Sequence, residues 1–352
     1  MSKSSQMYDL LVVLARNDIL SENVEKIKLI IDSEFNWNIF MTICFKQKVA
    51  GLIYRNFVNL GISDLIPFSN YHILKQFYNG NYGRNLIIFE LLDHIIEKFK
   101  QNNIDVRPLK GSVLIPLIYG DLGSRVMNDI DLFFNKDDEC KIYEILTEDG
   151  YIQGMYSRDK KEIIPIEYKE KILWKIKMFN LPPFIKTISS KYLDSLSLDF
   201  THGFSYFSEN NNYNDVLSKG EVVGKYYTLD KFDFFIHLCA HLHKEASNEV
   251  WIERGQGINL IKYCDVREFF LKKIFESDYD KLIERAYAIN AIKPLYYAIY
   301  YTNMIYQDIQ MNNFINKIKI DDKEYFNEIY RQGSKVVSYR NQSLAKMLTN
   351  IE

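Results

Sequence analysis

The most restrictive feature of the sequence is a pair of carboxylates two residues apart, Asp129 and Asp131, which alternate with Ile130 and Leu132. On a β-strand, alternate side chains share one face. Both carboxylates would then point the same way, and the two apolar side chains would enter the core. Because neighbouring carboxylates repel each other, a bound divalent cation is one condition that favours this arrangement. The pattern therefore predicts a strand with an acidic, cation-binding face.

A turn and a short helix precede the acidic strand. Residues 104–109 are predicted as a short strand, Gly111 and Ser112 as the turn, and residues 113–119 as an apolar helix. A proline near the first turn of that helix costs little, because the amide it lacks has no partner there. The acidic strand itself is predicted over residues 128–134.

A third core strand is predicted at residues 194–202, where polar and apolar side chains alternate. Asp199 lies there between Leu198 and Phe200. It is the one carboxylate of this segment with apolar residues on both sides, so it is the candidate third member of an acidic group.

This order of elements resembles the DNA polymerase β-like nucleotidyltransferase superfamily, in which a Gly-Ser turn follows a strand and Asp-apolar-Asp stands on the next one. The chain looks closer still to a bacterial group of uncharacterised nucleotidyltransferases. The resemblance extends over about residues 37–304, but only residues 110–132 are specific. The closer resemblance is carried by Leu109-Lys110-Gly111, Tyr119, Asp121, Gly123, Arg125 and Asp129-Ile130-Asp131-Leu132.

The resemblance implies roles for seven residues. The catalytic and metal-binding carboxylates would be Asp129, Asp131 and Asp199. The nucleotide-binding residues would be Lys110, Gly111, Ser112 and Arg125. A glycine lets the backbone approach phosphate oxygens, and the free amides at a helix start face an anion. The guanidinium and the ammonium would neutralise the β- and γ-phosphates.

The implied activity is metal-dependent transfer of a nucleoside monophosphate from a nucleoside triphosphate, ATP among them, to an acceptor. The cofactor would be Mg²⁺, with Mn²⁺ as the alternative, because a carboxylate-only ligand set suits these ions. The acceptor stays open between a small molecule, a peptide or protein, and an RNA end. The alternative function is a catalytically inactive nucleotide-binding module that acts in a complex.

Plainer interpretations exist for each motif taken singly. Asp-Ile-Asp is common on exposed strand edges, and Gly-Ser alone is a turn. His237 and His241, with His243 nearby, suggest zinc, because histidines four residues apart share a helix face. However, Leu238 stands where a zinc protease would carry glutamate, so packed core histidines are the expectation, with Asp265 as a candidate partner for one of them.

Composition limits the partners. The chain has 352 residues with a formal net charge of -2 and a pI of about 6.4, which disfavours an extended nucleic-acid surface. A tRNA or nucleotide acceptor stays open. The four cysteines lack paired spacing, and no stretch is long and apolar enough to span a bilayer, so the expected location is the cytoplasm without membrane association.

The predicted fold class is α+β. Apolar residues recur at helical spacing from about residue 8 to residue 100, which predicts a helical N-terminal region at 1–102 whose last helix covers 85–101. A small mixed β-sheet nucleotidyltransferase core would follow at 103–207. A second helical region would occupy 208–352.

Overall fold

The acidic strand lies inside a six-stranded mixed sheet, and helical segments precede and follow this sheet in the sequence. The computed structural model describes residues 3–177, 180–204, 215–320, 323–331, 334–337 and 344–349. The six strands of the sheet are β1 (Val106–Pro108), β2 (Asp129–Phe134), β3 (Ile152–Ser157), β4 (Glu162–Pro165), β5 (Phe184–Thr187) and β6 (Ser195–Thr201). The α+β class predicted from the sequence is confirmed.

Helices make up most of the remaining described chain. Before the sheet come α1 (Lys3–Leu14), α2 (Asn23–Ile30), α3 (Trp37–Lys46), α4 (Ala50–Asn59) and α5 (Phe68–Gln101). Within the sheet region lie α6 (Gly111–Leu114), α7 (Glu139–Glu148) and α8 (Tyr168–Lys177). After it come α9 (Lys231–Ala246), α10 (Glu249–Glu253), α11 (Leu260–Lys273), α12 (Tyr279–Ala288), α13 (Ile292–Tyr306), α14 (Ile309–Lys317) and α15 (Leu344–Thr349).

Two small hairpins accompany the C-terminal helices. They are formed by β7 (Glu221–Val223) with β8 (Tyr226–Thr228), and by β9 (Glu328–Arg331) with β10 (Ser334–Val337). These short strands were not predicted from the sequence, because three or four residues are too few to display a period of two. The predicted C-terminal region is therefore helical with two added hairpins.

The strand order brings distant parts of the chain side by side. The order is β1-β2-β6-β5-β3-β4, in which β2 and β6 run parallel and all other neighbours run antiparallel. In the β2–β6 register, Asp131 is opposite Asp199 and Asp129 is opposite Ser197. The two predicted acidic strands are thus direct neighbours.

The alternation of apolar and polar side chains along β2 and β6 explains why one face of these strands is buried. On β6, Leu198 and Phe200 are fully buried, as are Ile130 and Leu132 on β2. These side chains meet the apolar face of α5, where the Phe99 ring lies edge-on to the Phe200 ring at 5.9 Å. The carboxylates, at the alternate positions, are consequently held on the other face.

Helix α5 is longer than the sequence predicted. It runs for 34 residues, or roughly 50 Å at 1.5 Å per residue, from just after Pro67 to Asn102. Its N-terminal half packs into the helical core through Leu74, and its C-terminal half packs under the sheet. In its middle, the Tyr192 ring packs directly against Gly83, where a Cβ would lie 2.8 Å from the ring. One rigid helix therefore spans both hydrophobic cores.

No helix in the described part of the chain is both long and apolar enough to cross a membrane.

Helix α5 offers a matched test of the sheet core. Replacing Phe99, which is fully buried, with alanine should lower the free energy of unfolding by about 3–5 kcal/mol, because it opens a cavity under β6. Phe68, on the first turn of the same helix, is 81% exposed, and its replacement should cost under about 1 kcal/mol. Urea denaturation measures both, and equal losses would refute this account of the core.

Candidate functional site

Three carboxylates converge on the open face of the sheet. Asp129 and Asp131 come from β2, and Asp199 comes from β6. One oxygen from each lies within 4.8 Å of the other two, although Asp199 is 68 positions beyond Asp131 in the chain. The predicted acidic group is therefore assembled in space. We call these three residues the acidic triad.

The triad is electrostatically strained without a cation. Burial, followed by the charges of Asp129 and Asp131, raises the pKa of Asp199 to about 7. Burial and the nearby Asp129 also raise the pKa of Asp131, and Lys110 opposes that rise. Ser197 donates a hydrogen bond to Asp199 at 2.9 Å. Three partly buried carboxylates in mutual contact favour either a bound proton or a bound cation.

Lys110 supplies the nearest positive charge. Its Nζ donates to Asp131 Oδ1 at 2.5 Å, and both side chains are less than one-fifth exposed. The Lys110 backbone has φ +45° and ψ −120°, a conformation that non-glycine residues rarely adopt. This turn is held by the amide of Leu114, which donates to the Lys110 carbonyl at 2.7 Å. Such strain persists only where the surrounding structure imposes it, and it commonly occurs at functional sites.

Gly111 and Ser112 are placed beside the triad for packing reasons. A Cβ on Gly111 would lie 2.6 Å from Nη1 of Arg125 and 2.9 Å from the sulfur of Met127. Ser112 is 1% exposed, and its hydroxyl is 3.9 Å from the same sulfur. Glycine is therefore required by the close approach of a neighbouring guanidinium, and the serine hydroxyl is directed into the protein.

Arg125 is engaged in a buried two-pronged ion pair. Its Nε and Nη2 donate to Asp265 on α11 at 2.9 and 2.7 Å, and the hydroxyl of Tyr119 donates to the same carboxylate at 2.7 Å. Arg125 is 9% exposed and Asp265 is 3% exposed. Asp265 is thus a partner of the arginine loop and not of a histidine. The pair joins the loop ahead of β2 to the C-terminal helices.

Cations that sequence reasoning missed surround the triad. Arg84 on α5 donates to the Met127 carbonyl at 3.1 Å, next to the start of β2. Lys48, between α3 and α4, lies near Asp129, and Lys244 on α9 lies near Asp131 and Asp199. Lys262 on α11 also lies near Asp129. The sequence signal that could have identified them is weak, because each lies in a different element far along the chain from the motif.

Oxygen ligands of this kind suit hard divalent cations such as Mg²⁺ or Mn²⁺. Among the described residues, the acidic triad is the one group of three or more metal-ligating side chains. His241 instead contacts Glu245 at 3.1 Å, and its ring centroid is 6.3 Å from that of His237. The ligand chemistry therefore fits a divalent cation held by aspartates, and the arrangement gives no support to a histidine zinc site.

Comparison with known proteins gives one match. The model of a family described as "Uncharacterised nucleotidyltransferase" matches residues 33–307, which is more than half of the chain and includes the whole acidic triad. Curated proteins and solved structures gave no match.

The carboxylate repulsion predicts a pH-dependent stability. In the cation-free protein, the Asp199 pKa of about 7 exceeds the ordinary value of about 3.9. The folded state then binds a proton that the unfolded state lacks, so stability falls as pH rises through this window. Asp199→Asn removes the effect. In EDTA, the Tm of the variant should exceed that of the wild type by an amount that grows from pH 4.5 to pH 8.

The matched control is Asp194→Asn, which changes an exposed aspartate just before the same strand. It should give no gain that grows with pH. A difference between Asp199→Asn and the wild type that stays constant across this range would contradict the electrostatic explanation.

Because the Arg125–Asp265 ion pair is buried, we expect removal of the Arg125 guanidinium to destabilise the protein strongly. Arg125→Met should lower the free energy of unfolding by about 3–5 kcal/mol, because it leaves a buried carboxylate without its cation. Adding Asp265→Asn should recover part of that loss, because the amide oxygen still accepts from Tyr119. Urea denaturation of both variants measures this. A loss below about 1 kcal/mol for Arg125→Met would refute a structural role.

Proposed function

Because the chain belongs to the uncharacterised nucleotidyltransferase family, we propose that it is a Mg²⁺-dependent enzyme that transfers a nucleoside monophosphate from a nucleoside triphosphate to an acceptor. The observation that supports this most is the register between β2 and β6, which sets Asp131 opposite Asp199. Two strands that pair in this register hold carboxylate oxygens at a fixed spacing, which would suit a divalent cation.

The acidic triad would hold the divalent cations through carboxylate oxygens of Asp129, Asp131 and Asp199. The bound cations would neutralise charge on the reacting phosphate. Asp199 is the candidate base, because its carboxylate lies within the acidic triad, where an acceptor hydroxyl would meet the reacting phosphate. The acceptor oxygen would then bond to the α-phosphorus, and the bond to the β-phosphate oxygen would break to release pyrophosphate.

Lys110 would serve the triphosphate. Its ammonium lies 2.5 Å from Asp131, so it can exchange that carboxylate for a phosphate oxygen within a short movement of a flexible side chain. Gly111 and Arg125 would act indirectly, by fixing the turn that aims Lys110.

The order of the motifs supports placing the chain in the DNA polymerase β-like superfamily. We also propose that residues 103–207 form the catalytic core, with the regions 1–102 and 208–352 as the two walls of the substrate cleft. Side chains from both outer regions lie near the triad, among them Lys48 and Lys244, which supports this division.

Pyrophosphate release tests the proposal. The wild type incubated with each of the four labelled ribonucleoside triphosphates and Mg²⁺ should release pyrophosphate or label itself with at least one of them. The double variant Asp129→Asn, Asp131→Asn should lose at least about 10²–10³-fold of this activity, the loss typical of one preorganised electrostatic group. Nucleotide binding by the wild type without any release would favour the inactive binding module instead.

A further inference from the structure

Helix α9 directs a polar stripe toward the acidic triad. His237, His241 and Lys244 are spaced at i, i+4 and i+7, so they share one helix face. Burial and then the charge of Lys110 lower the pKa of all three side chains, which places each of them near that lysine. The stripe therefore lies beside the acidic triad and Lys110.

Helix α11 adds a second cation from the adjacent side. Its first amides bond to Gln47, with Leu260 N to Gln47 Oε1 at 2.8 Å and Ile261 N to Gln47 O at 3.3 Å. This contact brings Lys262, in the first turn of α11, close to Lys48. Helices α9 and α11 also pack together, and Glu245 contacts both Lys262 and His241.

Positive charge is concentrated on this side of the triad, although Glu245 pairs with Lys262 and the triad carboxylates attract all three lysines. Burial, followed by repulsion from Lys48 and Lys110, lowers the pKa of Lys262 to about 7. Burial and Lys110 lower the pKa of Lys244 to about 8. Lys262 is only 19% exposed and stands in the first helical turn, where the helix dipole also disfavours a cation. A multivalent anion bound between these lysines would offset the repulsion that remains among them.

We propose that Lys48, Lys244 and Lys262, which we call the lysine wall, bind the β- and γ-phosphates of the nucleoside triphosphate and retain pyrophosphate until it leaves. The inference rests on the proposed function, and it identifies the residues that would bind pyrophosphate, the leaving group of that reaction. The sequence motif pointed to Arg125 for this role, but that buried guanidinium is held by Asp265 through two nitrogens. Lys262 also has a carboxylate partner, Glu245, but its single ammonium on a flexible side chain would exchange that partner for a phosphate oxygen.

A compact polyphosphate fits this arrangement better than a nucleic-acid backbone does. Lys244 and Lys262 lie on α9 and α11, and Lys48 lies in the turn between α3 and α4. Each of these lysines is partly buried and interacts electrostatically with an aspartate of the triad. A duplex would need cations spread along an exposed face, and the net charge of the chain is -2. Pyrophosphate and the triphosphate tail carry their charge within a few bond lengths.

Inorganic pyrophosphate with Mg²⁺ is the test ligand, because it does not require the preferred base to be known. Isothermal titration calorimetry should show Kd raised about 10- to 100-fold by Lys244→Met and by Lys262→Met, as expected for one lost charge-assisted contact. Lys244→Arg should retain most of the affinity. The matched control is Lys273→Met on the last turn of α11, roughly 16 Å along the helix from Lys262, which should not change Kd.

Circular dichroism and the Tm without pyrophosphate check that each variant folds. If Lys262→Met does not fold, the pyrophosphate affinity of Lys244→Met tests the proposal by itself. Wild-type turnover of a nucleotide together with unchanged pyrophosphate affinity in a folded Lys244→Met variant would overturn the lysine wall and leave the transferase intact. Failure of the wild type to bind pyrophosphate at millimolar concentration would also overturn it. If the variants bind pyrophosphate more weakly but the wild type turns over no nucleotide, the lysine wall is supported and the proposed transfer reaction is refuted.

Discussion

Mutual repulsion among three carboxylates is the constraint on which the site depends. Asp131 and Asp199 lie opposite each other because β2 and β6 pair in parallel, and Asp129 adds a third charge on the same face. The apolar residues between them, such as Leu198 and Ile130, are fully buried against α5. Burial of one face of the sheet thus supplies the free energy that holds the charges together on the other.

Positive charge from every region of the chain compensates this acidic face. Lys110 comes from the turn before α6, Lys48 from the N-terminal helices, and Lys244 and Lys262 from the C-terminal helices. The Arg125–Asp265 pair fixes one of these helices to the loop before β2. The electrostatic balance of the triad therefore depends on residues from both ends of the chain.

The prediction from sequence was accurate where the signal was local. Asp129 and Asp131 are two residues apart on one strand, so their shared face follows from the strand repeat, and the α+β class follows from the element pattern. Gly111 was selected by its motif, but the reason is the nearby Arg125 guanidinium, which no local pattern reveals. Arg125 was assigned to phosphate by the same motif, and its partner Asp265 is 140 positions away.

The sequence by itself determined the acidic strand, the turn that precedes it and the helices on both sides, because each depends on side chains within a few positions of one another. Tertiary structure alone decided that Asp199 stands opposite Asp131, that Arg125 is buried against α11, and that Lys244 and Lys262 face the triad. The physical reason is that register and helix packing minimise free energy over the whole chain, so contacts between distant residues have no signature at any single place in the sequence.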